Sequence, residues 1–130
     1  MSKNIFISGH SGMVGSAIFR SITQRYPKNN IIIKSRSELN LLDQHKTQKF
    51  FCENKIDEVY LCAAKVGGIL ANSSYPYDFL YENMQMELNI INSAIRSNVP
   101  KLLFLGSSCI YPKFSKQPIK EEYLLSGNLE

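Results

Sequence analysis

The apolar run Ile5-Phe6-Ile7 passes through Ser8 into Gly9-His10-Ser11-Gly12-Met13-Val14-Gly15, and an amphipathic stretch follows at once. Strand, glycine turn and helix in this order leave a chain few folds. The first glycine allows a tight turn, the second lets backbone approach a ligand, and the third lets helix and strand pack closely. The helix that begins here offers unpaired N–H groups and the positive end of its dipole to a phosphate. Glycines alone could simply shape a turn; the strand before and the helix after make the pattern a dinucleotide site. The spacing is Gly-x-x-Gly-x-x-Gly, one residue longer in its first gap than the standard fingerprint.

The same alternation continues along the chain. Val14, Ile18 and Ile22, with Ala17 between them, give a first helix one apolar face, and Tyr26-Pro27 ends it. Ile31-Ile32-Ile33 reads as a short buried strand, and Leu39-Asn40-Leu41-Leu42 as a brief third extended piece. Asp43 is placed to cap a helix whose inner face includes Phe50 and Phe51. Residues 57–64 form a fourth strand leading to Gly67-Gly68. A long helix is predicted from Asp78 to about Ser97, with Leu80, Met84, Leu88, Ile91 and Ile95 on one face. Asn98-Val99-Pro100 breaks it, and residues 101–106 form a fifth strand. The stretch from Lys113 to Glu130 reads as loop with at most a short helix. Strands alternating with helices predict an α/β fold, a doubly wound parallel sheet of the Rossmann type. Its expected strand order is 3-2-1-4-5, with ligand at the carboxyl ends where the order reverses.

Composition bounds the rest. With 130 residues, 44% hydrophobic and 20% charged, the chain suits one ordinary globular domain. The net charge of +4 is scattered, so nucleic acid is not an expected partner, whereas an anionic phosphorylated ligand is compatible. Cys52, Cys62 and Cys109 are odd in number and lack Cys-x-x-Cys spacing, and with only His10 and His45 beside them no metal site is expected. Cys52 and Cys62 read as packing residues, and His45 as exposed on a helix. No signal peptide is apparent and no apolar run approaches the roughly 20 residues of a membrane span. The expected compartment is therefore reducing and cytoplasmic.

The residues after the second strand bear on cofactor choice. An acidic side chain there takes the ribose hydroxyls of NAD, whereas an arginine accommodates the 2′-phosphate of NADP. Here the strand runs into Lys34-Ser35-Arg36, and Arg36 can offer a bidentate fork to a phosphate. Glu38 is the rival signal, since it could reach a ribose hydroxyl. The arginine favours NADP(H).

A second constellation, Gly106-Ser107-Ser108-Cys109-Ile110-Tyr111-Pro112, begins where the fifth strand ends, on the same rim as the glycine turn. Serine and proline there could be turn chemistry alone. Hydroxyls and a thiol at a strand's carboxyl end are also placed for chemistry on a ligand held above the sheet.

Taken together, residues 9–15, 36–41, Ala63-Ala64-Lys65-Val66-Gly67-Gly68 and residues 105–112 resemble the extended short-chain dehydrogenase/reductase family, in its branch of GDP-keto-sugar epimerase/reductases. The resemblance runs through essentially the whole chain. It implies an NADP-dependent enzyme that epimerises GDP-4-keto-6-deoxy-D-mannose at C3 and C5, then reduces C4 to give GDP-L-fucose. The implied cofactor-binding set is Gly9, His10, Ser11, Gly12, Met13, Val14, Gly15, Arg36, Ser37, Glu38, Leu39, Asn40, Leu41, Ala63, Leu105, Gly106, Ser107 and Ser108. Ser11 departs from the family pattern, since some members carry a basic residue there. The implied catalytic residues are Ser107, matching the family's catalytic hydroxyl, and Cys109, matching its epimerisation acid/base. A thiol suits that role when its surroundings favour thiolate.

The family's Tyr-x-x-x-Lys pair is not here: none of the seven tyrosines is followed by lysine four residues on. The expectation is that these residues are the N-terminal part of an NADP-binding domain, that the substrate-binding lobe lies elsewhere, and that this piece alone is inactive. A homodimer is expected of the full-length enzyme. Two alternatives stay open: a reductase or epimerase of a related GDP-deoxysugar such as a 6-deoxyheptose, and a non-catalytic dinucleotide-binding module.

Overall fold

A computed structural model describes residues 2–129. In chain order the elements are β1 (Asn4–Ser8), α1 (Met13–Arg25), β2 (Asn30–Ile32), α2 (Gln44–Glu53), β3 (Glu58–Leu61), α3 (Ile69–Ser74), α4 (Pro76–Arg96) and β4 (Lys101–Phe104). Two 3₁₀ turns follow, at Ser108–Ile110 and Glu121–Tyr123. All strands pair in parallel in the order β2-β1-β3-β4. The chain first winds from β1 to β2, then returns past β1 to β3 and β4, so the order reverses beside β1.

The two-residue period of the strands sorts their side chains onto two faces. Ile5 and Ile7 of β1 pack with Ile22 of α1, joined by Ile18, Phe19, Tyr60 and Cys62. Phe6, Val59 and Leu61 point the other way, into a core with Phe50 and Phe51 of α2 and Ile90 and Ala94 of α4. Phe6, Phe50 and Phe51 meet at centroid distances of 4.9–5.7 Å, with the contacts to Phe51 edge-on. Each such side chain, fully buried, contributes about 1.5–3 kcal/mol of transfer free energy. Asp43 caps α2 by accepting a hydrogen bond from the Lys46 amide at 2.9 Å, and His45 is exposed on that helix.

The doubly wound parallel sheet is as predicted, and the strand order is the expected one without the piece at Leu39–Leu42. That piece is not a strand. The Leu39 amide donates to the Ser35 carbonyl, the Leu42 amide to Asn40 Oδ1 and the Asp43 amide to the Asn40 carbonyl. These local bonds use the donors a ladder would need, and they drive Leu39 into the core. β2 is an edge strand, only partly buried. In α1 the inward face is Gly15, Ile18, Phe19 and Ile22, while Val14 and Ala17 are exposed. The largest departure is in α4, which buries Asn89, Ile90, Ser93 and Ala94. Of the face predicted to be inward, Leu80, Met84, Leu88 and Ile95 are 50–70% exposed, and Ile91 packs at the core's margin. Small Ser93 and Ala94 let the helix approach the sheet closely, which bulkier neighbours could not. Cys52, expected to pack, is exposed, and Cys62 is half-buried. No helix among the described residues is long and apolar enough to cross a membrane.

Candidate functional site

Parallel pairing brings three strand ends to one edge of the sheet. Ser8 of β1 is in register with Leu61 of β3, and Leu61 with Phe104 of β4. The segments that follow, from Gly9, Cys62 and Leu105, therefore emerge side by side, the outer two separated by roughly 10 Å across two strand spacings. The Ser8 hydroxyl knits two of them together, accepting from the Cys62 amide at 3.2 Å and more weakly from the Ala63 amide at 3.4 Å.

Gly9 has φ of +70° and lies against Ala63, where an added Cβ would come within 2.7 Å of the Ala63 amide nitrogen. A Cβ on Gly15 would overlap the Gly9 carbonyl oxygen. Side chains are thus excluded at both ends of the loop, and α1 starts hard against β1. Gly12, the residue before α1, provides no side-chain cap, and the first turn of α1 contains no acidic residue. Met13 is 87% exposed, and Ser11 and Val14 are exposed as well. His10 Nδ1 is shielded from solvent and lacks a hydrogen-bond partner among the described residues. Uncapped amides, a positive helix end and an orphaned ring nitrogen suit the pyrophosphate of a dinucleotide.

In the turn after β2, Glu38 and Arg36 are held differently. Glu38 closes its own turn: its Oε2 accepts from the Ser35 amide at 2.8 Å and from the Ser35 hydroxyl at 2.6 Å. Those bonds from Ser35 hold its carboxyl below the usual value, with Lys34 adding to the effect. Ser37 joins through its hydroxyl, 3.0 Å from that of Ser35. Arg36 projects from the turn instead, its side chain 77% exposed and one guanidinium nitrogen 3.6 Å from Glu82 Oε2. Leu39 is buried, so it can meet a ligand only through backbone. Asn40 caps the chain locally, and the Leu41 carbonyl accepts from Asn89 Nδ2 of α4 at 2.8 Å.

At the other end, Leu105 extends the sheet, its amide donating a hydrogen bond to the Leu61 carbonyl at 3.4 Å. Gly106 and Ser108 are exposed, and Gly106 has open space where a side chain would stand. Ser107 precedes the first 3₁₀ turn and its Oγ accepts from the Cys109 amide at 3.1 Å. That leaves the hydroxyl proton without an acceptor among the described residues, free to donate to a ligand. Cys109 is exposed beside it. Cys62, by contrast, is pushed up by burial, away from thiolate chemistry.

Glu82 and Asn83 belong to this rim and were not singled out from the sequence, and Lys65 was named there only as part of the segment 63–68, without a role of its own. Asn83 grips Lys65 by both backbone groups, accepting from its amide at 2.7 Å and donating to its carbonyl at 2.9 Å. Lys65 Nζ in turn donates to Glu82 Oε1 at 2.6 Å. No local signal marked Glu82 and Asn83, which are two of many polar residues along this helix. No group of three or more His, Cys, Asp or Glu side chains that could hold a metal occurs among the described residues.

Residues 5–130 match the model of the NAD dependent epimerase/dehydratase family. The chain is 57% identical over 131 residues to the GDP-L-fucose synthase of Escherichia coli (strain K12), covering 100% of this chain and 40% of that one. Among solved structures it superimposes with a TM-score of 0.91 and 41% identity on MlghC, a GDP-mannoheptose C4 reductase from Campylobacter jejuni with NADP bound, covering 99% of this chain and 40% of that one. A GDP-D-glycero-L-gluco-heptose synthase from the same organism, solved in the presence of NADPH, gives the same TM-score and identity over 99% of this chain and 37% of that one. The chain thus spans about 40% of the length of the relatives it matches.

Proposed function

The chain belongs to the NAD dependent epimerase/dehydratase family, and from that premise we propose that it is the cofactor-holding, N-terminal part of an NADP-dependent enzyme that converts GDP-4-keto-6-deoxy-D-mannose to GDP-L-fucose. The observation that carries the reading is the convergence of the glycine loop, Arg36 and the Ser107–Cys109 turn on one edge of the sheet. The 57% identity to a GDP-L-fucose synthase supports the substrate.

The glycine loop and the first turn of α1 would hold the pyrophosphate, and Arg36 the 2′-phosphate. When bound, NADPH supplies the hydride for C4. Ser107, its proton uncommitted, donates to the C4 carbonyl oxygen and stabilises the charge that develops there, a contribution of the size that oxyanion donors make. With the carbonyl polarised, the protons on C3 and C5 become acidic. Cys109 takes such a proton as the base, and a proton drawn from solvent and delivered to the opposite face inverts the centre, the proton on Cys109 then passing to solvent. The 130 residues alone, lacking a Tyr-x-x-x-Lys pair to protonate the reduced oxygen, give no turnover. The enzyme works in the cytoplasm on a GDP-linked keto sugar.

The structural likeness to two GDP-heptose enzymes favours a second reading, reduction of a GDP-6-deoxyheptose, at the lower identity of 41%. Variants of the full-length enzyme test the assignment of roles. Cys109→Ser slows solvent-deuterium entry at C3 and C5 by about 10²–10⁴-fold, while C4 reduction of a substrate already epimerised continues. Ser107→Ala slows both steps by about 10²–10³-fold, with NADPH affinity within about twofold of wild type. Unimpaired deuterium exchange in Cys109→Ser would refute the epimerase role.

A further inference from the structure

Three charged side chains from three separate segments meet at the rim: Arg36 from the turn after β2, Lys65 from the loop after β3, and Glu82 from α4. We propose that Glu82 is a positioning residue for recognition of the 2′-phosphate of NADP(H), holding the Arg36 guanidinium over the rim while Lys65 fixes the carboxylate. This inference rests on the NADP reading above and extends it to a residue that never touches the cofactor.

The carboxylate is anchored independently of Arg36. Lys65 is held by Asn83 through both backbone groups, its ammonium lies 5.5 Å from the Phe79 ring centroid, and it donates to Glu82 at 2.6 Å. Lys65 and Glu82 side chains are 31% and 22% exposed, against 77% for Arg36. Two sheltered groups thus brace one that would otherwise sample many rotamers, and ordering it beforehand lowers the entropic cost of binding.

At 3.6 Å, the Arg36–Glu82 contact is an ion pair rather than a close hydrogen bond. A guanidinium has five N–H donors in a planar fork, so donors remain for a phosphate. A carboxylate near a phosphate would also repel it. Lys65 offsets that charge: two cations and one anion leave the cluster at +1, so bracing outweighs repulsion.

The test is binding of NADPH and NADH to the full-length enzyme by Glu82→Gln, Glu82→Asp, Arg36→Ala and Glu82→Gln/Arg36→Ala. Glu82→Gln is expected to weaken NADPH binding about two- to fivefold, the range of an exposed ion pair, and to leave NADH unchanged. Glu82→Asp, which keeps the charge, stays closer to wild type. Arg36→Ala lowers the preference for NADPH by at least about tenfold, and adding Glu82→Gln to it costs nothing further. Equal weakening of both cofactors, or tighter NADPH binding, in Glu82→Gln would overturn the positioning role. An unchanged NADPH-to-NADH ratio in both Glu82→Gln and Arg36→Ala would overturn the NADP reading and this inference together, whereas a change in Arg36→Ala alone overturns only the inference.

Discussion

Gly15 lies so close beneath the Gly9 carbonyl that even a methyl group has no room. Gly15→Ala is therefore expected to lift α1 off β1, costing about 1–3 kcal/mol of stability. NADPH affinity should fall about tenfold or more as the amides at the start of α1 move. Denaturant melts and cofactor titrations of the same variant check both effects; a wild-type melt would contradict the packing argument. Much of this loop could be read from the sequence, because glycine's missing side chain is itself the signal. Arg36 was also legible, as a planar cation just past a strand. Glu82 was not: its role comes from contacts with residues 46 and 17 positions earlier in the chain, and no local pattern encodes them. The engagement of the Glu38 carboxylate with Ser35 was not legible either, since it depends on how the turn closes.

Between elements, β3 is tied to its neighbours at the amino end of the sheet by one buried carboxylate. Glu58, 6% exposed, receives Lys3 from the segment before β1 and Lys101 from β4, and Tyr60 donates to it more weakly at 3.3 Å. The hydrogen bond from Lys3, and then that from Lys101, hold its carboxyl below the usual glutamate value in spite of burial. A depressed folded-state pKa stabilises the fold above the unfolded value near 4.5 and is lost as pH falls through the folded one. Glu58→Gln is thus expected to cost about 1–3 kcal/mol at pH 7 and to flatten the loss of stability as pH falls below the unfolded value near 4.5. Equal pH slopes for wild type and variant, followed by denaturant unfolding, would count against the staple. Helix α4 shows where element-scale reading stops. Apolar spacing selects Leu80, Met84 and Leu88, yet packing selects Ile90, Ser93 and Ala94, since close approach to a sheet favours small side chains. Periodicity located the helix and missed its rotation.

For the molecule as a whole, the alternation of strands and helices carried the architecture, because parallel strands need crossovers and crossovers take one hand. The turn at residues 39–42 departed from it, where Ser35 and Asn40 claimed the backbone donors, and helix α3 at Ile69–Ser74 was an addition to it. The order β2-β1-β3-β4 brings the glycine loop and the Ser107–Cys109 turn to one edge although about 95 residues of chain separate them. On the proposed function this shared edge ties hydride transfer to epimerisation, and the direct test follows both in one reaction. The full-length enzyme would be given GDP-4-keto-6-deoxy-D-mannose and NADPH in deuterium oxide, and the sugar product examined by NMR. The account predicts GDP-L-fucose carrying deuterium at C3 and C5, with one NADPH oxidised per molecule formed. Oxidation of NADPH with no deuterium at either carbon, or no oxidation at all, would contradict it.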